Sequence, residues 1–60
     1  MKIGDLVKYK NWHGVVTATS GVNTRGEKIV EGQEVMVLWN GDESPSWEVV
    51  DLLEKINEDR

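Results

Sequence analysis

From Glu34 to Asn40, Val35, Val37 and Trp39 alternate with Met36 and Leu38, so both period-two sets are apolar. That is the pattern of a strand covered on both sides, and it marks the heart of a core. Asp5 to Lys10 reads differently, with Val7 and Tyr9 on one face and Leu6, Lys8 and Lys10 on the other, a half-buried strand. Gly14 to Ser20 is rich in β-branched residues; Val16 and Ala18 are its inward pair, because the other set would bury the hydroxyls of Thr17 and Thr19. Asn40-Gly41-Asp42 is an Asn-Gly turn signal, after which Ser46 to Val49 returns as a hairpin strand with Pro45 left in the loop.

Residues 20–33 carry three glycines and an Asn-Thr-Arg-Gly tract, which predicts a long, mobile hairpin arm turning near Asn23 to Gly26. At the far end, Asp51 and Glu54 have capping-box spacing, while Leu53 and Ile56 suit a closing strand. The expectation is a 3-10 turn over Val50 to Leu53, a short fifth strand, and a frayed end at Asn57 to Arg60. Nine valines, three isoleucines and glycines at 4, 14, 21, 26, 32 and 41 leave room for strands and none for a long helix. Residues 1–60 therefore predict a single all-β domain, a small five-stranded SH3-like barrel with a 3-10 turn before the last strand. Val7, Val16, Val35, Val37 and Leu38 should be largely buried, and Trp47, flanked by Val49 and the Leu52-Leu53 pair, should fill the core.

Composition removes several functions. The chain has no cysteine and one histidine, His13, so neither a disulfide framework nor a thiolate or multi-imidazole metal site is expected, and no cofactor. Ser20, Ser44 and Ser46 have no histidine placed to activate them and no glycine-rich phosphate loop is present; the expectation is a protein that is not an enzyme. The longest apolar run is Val35 to Leu38 and the start lacks the apolar stretch of a signal peptide, which predicts no membrane association and a cytoplasmic location.

Net charge is −4, with +3 in residues 1–28 and −7 in residues 29–60. An acidic balance disfavours wrapping of a phosphate backbone. Its exception is a basic strip of Lys8, Lys10, Arg25 and Lys28 beside Tyr9 and Trp12, a composition suited to stacking on single strands. Three tryptophans in so short a chain exceed what a minimal core requires. Tyr9, Trp12 and Trp39 are the candidates for one exposed rim, with Trp12 in a turn over Asn11 to Gly14, and such a patch makes a binding hot spot or a cation site. With Asp42, Glu43 and Glu48 near by, its ligand should be cationic or a basic peptide.

Two segments carry a resemblance. Ile3-Gly4-Asp5-Leu6-Val7-Lys8-Tyr9 followed by Gly14-Val15-Val16-Thr17 resembles the "GDxV" and "GxV" opening strands of SH3-like barrels of the KOW and Tudor type. Val37-Leu38-Trp39-Asn40-Gly41, Trp47 and Asp51 to Ile56 are similar to their closing half, and the whole order of elements resembles small proteins of tailed phages, those infecting marine cyanobacteria included. The resemblance implies the barrel fold and, for a phage protein, a partner from host or phage in the host cytoplasm; the expected oligomeric state is a monomer or weak oligomer. Val37-x-Trp39-x-Gly41 with Trp47-Glu48 also resembles the "VxWxG…WE" of chromodomains, which implies a cage position for Trp39 and a packing position for Trp47. Asp42 stands where a chromodomain has an aromatic residue. The leading functional expectation is a protein-binding module built on Tyr9, Trp12, Trp39, Asp42 and Glu43; the rival is a nucleic-acid-associated barrel using Lys8, Lys10, Arg25 and Lys28.

Overall fold

The computed structural model describes residues 1–56. In chain order they form β1 (Leu6–Tyr9), β2 (Trp12–Ala18), β3 (Glu34–Trp39), β4 (Ser46–Val49), a 3-10 turn (Val50–Leu52) and β5 (Glu54–Lys55). The strands make one antiparallel sheet ordered β4-β3-β2-β1-β5, curled into a half-barrel, so the all-β fold with its 3-10 turn before the last strand is as the sequence predicts. The expected fraying of 57–60 lies outside the described residues.

Cross-strand partners share a face of a sheet and successive residues alternate, so the register assigns every side chain to one side or the other. Val7, Gly14, Val16, Val37, Trp39, Val35 and Glu48 fall on the inner face of the curl. Leu6, Val15, Leu38, Met36 and Trp47 fall on the outer face. Val7, Val16, Val35, Val37 and Trp39 form the buried cluster, closed over by Val50 and Leu53 from the segment that follows β4. Ile29, on the arm, is buried too.

Three expectations change here. Leu38 is only half-buried, because β3 has the core on one face and no second layer on the other. A chain of sixty residues has too few side chains to cover both sides of its sheet. Ala18 does not join Val16 inside: a β-bulge between Val16 and Ala18 brings Ala18 opposite Met36, on the outer face. One inserted residue is enough to reverse the alternation. Finally, the first hairpin turns at Lys10–Asn11, closed by the Tyr9–Trp12 pair, and not at Asn11 to Gly14. Lys10 adopts a left-handed φ of 55°, the conformation a two-residue turn needs to match the twist of its strands.

Early reversal leaves Gly14 inside β2, directly opposite Trp39. A Cβ built on Gly14 would lie 2.5 Å from Val37 Cγ1, 2.9 Å from the Leu38 carbonyl oxygen and 3.0 Å from Trp39 Cε3. The absent side chain is what lets Val37 and the Trp39 ring lie this close to β2.

The segment before β1 is tied to β2 and β5. Lys2 and Asp5 close a turn in which Asp5 N–H donates to the Lys2 carbonyl at 3.0 Å and Lys2 N–H donates to Asp5 Oδ2 at 2.8 Å. Gly4 N–H reaches the Val16 carbonyl at 2.8 Å, and Lys55 Nζ on β5 lies 3.6 Å from Asp5 Oδ2. The Asp5 carboxyl is held below its usual range, first by the Lys2 backbone N–H, which outweighs the opposing desolvation, and then by the Lys55 and Lys2 charges.

Candidate functional site

Antiparallel pairing sends the β1–β2 turn and the β3–β4 turn out of the same end of the sheet, because β2 begins where β3 ends. Asn40 N–H closes this end by donating to the His13 carbonyl at 2.7 Å, and Asp42 N–H donates to the Trp39 carbonyl at 3.0 Å. Tyr9, Trp12, Asp42 and Glu43 thus belong to one end of the half-barrel, as the expected binding surface requires. Tyr9 and Trp12 are direct cross-strand partners and remain 38% and 57% exposed. Lys10 places its ammonium 5.4 Å from the Tyr9 ring centroid, within the range of a cation–π contact.

Trp39 is not part of this exposed surface. Its side chain is 8% exposed, lies against Gly14 on the inner face and belongs to the core cluster. The indole N–H donates to Glu48 Oε2 at 3.0 Å, and Ser46 Oγ donates to the same oxygen at 2.8 Å. A buried indole needs an acceptor, and Glu48, inward-facing on β4, supplies it. The sequence places Trp39 at a strand end beside Asn40 and Gly41, a natural rim position; what moves it inward is the gap at Gly14.

Trp47 makes the opposite exchange. It pairs with Met36 on the outer face, half-buried, with its ring edge 3.4 Å from where a Gly21 Cβ would stand. It does not fill the core. The chromodomain-like assignment of cage to Trp39 and packing to Trp47 is therefore inverted with respect to burial.

Two hollows flank the outer face. One of about 420 Å³ has Leu6, Val15 and Leu38, one cross-strand row, as apolar lining, with His13 and Asp42 at its margin. The other, about 510 Å³, opens between the arm at Val22–Arg25 and Pro45, Ser46 and Trp47. Sequence reasoning missed both, since each depends on which face the second apolar set of β3 presents.

The basic strip is divided. Lys8 and Lys10 stand at the β1–β2 hairpin, whereas Arg25 and Lys28 stand on the arm that leaves the other end of β2. Lys8 Nζ lies 3.8 Å from Glu54 Oε2, and Arg25 Nε lies 3.4 Å from Glu27 Oε1. The arm is built around Asn23, whose Oδ1 accepts the N–H groups of Arg25 at 2.9 Å and Glu27 at 3.0 Å; its turn falls at Asn23 to Gly26, where the sequence puts it.

Among the described residues, no group of three or more His, Cys, Asp or Glu side chains could hold a metal ion, and no helix is long and apolar enough to cross a membrane. No family model matches the chain, and neither a curated protein nor a solved structure matches it.

Proposed function

We propose that this protein is a non-enzymatic binding module that takes a basic segment of a protein partner at the end of the half-barrel carrying Tyr9, Trp12, Asp42 and Glu43. The observation that carries this reading is the Tyr9–Trp12 pair, exposed on adjacent strands beside the turn that bears two carboxylates. Aromatic side chains held by a strand ladder offer rigid contact area at little entropic cost, and the neighbouring acids favour a cation. Lys10 already rests on the Tyr9 ring from within the chain, which supports the same preference. Nucleic-acid binding draws less support, since the four basic residues stand at two ends and Lys8 and Arg25 are engaged with carboxylates.

An array of lysine- and arginine-rich peptides tests this against uncharged analogues of the same sequences. The folded protein should be retained by basic peptides, and Trp12→Ala or the double change Asp42→Asn with Glu43→Gln should weaken retention by about tenfold each. Equal retention by Trp12→Ala would remove the aromatic pair from the site. Preferential retention of an oligonucleotide, falling steeply with salt, would favour the rival reading.

A further inference from the structure

β4 forms one edge of the sheet, and only half of its backbone is used. Val50 N–H donates to the Gln33 carbonyl at 2.9 Å, continuing the register in which Glu48 faces Val35 and Ser46 faces Val37. Hydrogen-bonded pairs alternate along an antiparallel ladder, so Ser46 and Glu48 turn their N–H and C=O groups toward β3. Trp47 and Val49 turn theirs outward, and no backbone partner meets them among the described residues. Natural edges are usually blunted by charge, proline, a bulge or brevity. The opposite edge is: β5 is two residues long and consists of Glu54 and Lys55. Ser46–Val49 has no proline or bulge, and its one charge, Glu48, is turned to the inner face and bonded to Trp39 Nε1.

We propose that a second copy of this chain pairs with this edge through its own β4, antiparallel about a two-fold axis, with Trp47 opposite Trp47 of the second copy. The surface is distinct from the aromatic pair at Tyr9 and Trp12. A two-fold axis normal to the sheet keeps outer face beside outer face, so an outward side chain must meet an outward one. Three registers then bring open Trp47 and Val49 groups together; the one centred on Val49 sets Trp47 against Asp51 in the 3-10 turn, where no ladder continues, which leaves two. One sets Glu48 against Glu48, two like charges directly opposed. The other sets Trp47 against Trp47 and each Glu48 against Ser46 of the other copy, and charge selects it. Its bonds are the reciprocal pair between the two Trp47 residues and one from each Val49 N–H to a Pro45 carbonyl; Pro45 has no N–H to return. Within one copy Ser46 Oγ spends its single hydrogen on Glu48 Oε2, so Ser46 of the other copy meets Glu48 as a small uncharged neighbour and not as a donor. The register pairs indole with indole and opposes no like charges, which makes the edge self-complementary about the two-fold axis. An interface of one short strand pair falls below the roughly 1,200 Å² of stable complexes, so the dimer is weak.

Sedimentation of the full chain from micromolar to millimolar concentration is the test, beside a synthetic chain carrying an N-methyl group on the Trp47 amide. The methyl removes an outward N–H and leaves the bonds to β3 intact. The unmodified chain should dimerise with rising concentration, and the N-methyl chain should do so at least about tenfold more weakly. In mixed isotope-labelled and unlabelled protein, the selected register predicts an Hα–Hα contact between Ser46 of one copy and Glu48 of the other. A monomer at every concentration overturns the proposal, as does a dimer whose inter-copy contacts lie on Leu6, Val15 and Leu38 or at the Tyr9–Trp12 end. Those contacts are read on the unmodified chain and decide the matter even if the N-methyl chain fails to fold.

Discussion

Trp39 Nε1 donates to Glu48 Oε2 across the β3–β4 hairpin at 3.0 Å, which joins a core indole to an inward-facing carboxylate. Glu48→Leu would leave the indole N–H without its acceptor, at a cost of about 1–3 kcal/mol. Glu48→Gln keeps an acceptor and should lose less than half as much. Urea denaturation of the two variants measures the difference, and equal losses would mean that the charge, not the hydrogen bond, is what Trp39 requires.

Gly14→Ala introduces a Cβ into the contact with Val37, Leu38 and Trp39. Two of the three atoms it meets belong to a valine packed in the core and to a strand carbonyl, neither free to withdraw. Overpacking of this kind costs about 1–3 kcal/mol, a large part of the roughly 3–5 kcal/mol available to so small a domain. Thermal melts followed by circular dichroism should show early unfolding, with Trp39 fluorescence shifting to the red. A variant as stable as the parent would contradict the close approach of Trp39 to β2.

Asp5 links stability to pH. Its folded pKa lies below the ordinary value of 3.8, so the carboxylate contributes stability that is fully present above the unfolded pKa and disappears as pH falls through the folded one. The stability gap between the parent and Asp5→Asn should therefore be constant at neutral pH and close progressively below about pH 4. Chemical denaturation at a series of pH values checks this. A gap that widened on acidification would mean that Asp5 is held protonated, contrary to the Lys2 hydrogen bond.

Exposure of the tryptophans can be read by collisional quenching. Trp12 is 57% exposed and Trp39 is 8% exposed, so acrylamide should quench chiefly Trp12. Trp12→Phe should remove most of the quenchable emission and leave stability within about 0.2–1 kcal/mol, the worth of a cross-strand pair. If quenching persists undiminished, Trp47 and not Trp12 carries the accessible indole.

Most strand positions, the turn of the arm and the order of elements were legible because they depend on local signals, whereas the first hairpin turn came earlier than its polar residues suggested. Val7, Val16, Val35 and Val37 lie buried where alternation puts them, the arm turns where Asn23 can accept two backbone N–H groups, and the 3-10 turn follows β4 directly. The Tyr9–Trp12 neighbourhood was legible for the same reason, since a short hairpin brings close residues together. The roles of Trp39 and Trp47 were not. Both have aromatic side chains beside hairpin turns, and local pattern treats them alike.

What the amino-acid order determined by itself is a period: two in the strands, broken by glycine, asparagine and proline at the turns, which is a property of a few consecutive residues and their backbone preferences. A period does not say which of two apolar sets faces inward when both are apolar, as in Val35 to Trp39. That choice came from pairing. Gly14 opposite Trp39 opened a place for one indole inside, and Glu48 on the next strand supplied the acceptor that made burial of its N–H tolerable. The bulge after Val16 then reversed the alternation of β2 and set Ala18 on the outside, beside Met36 and Trp47, whose faces β3 and its pairing with β4 had fixed. These contacts join residues far apart in the chain, so only the tertiary structure decided them.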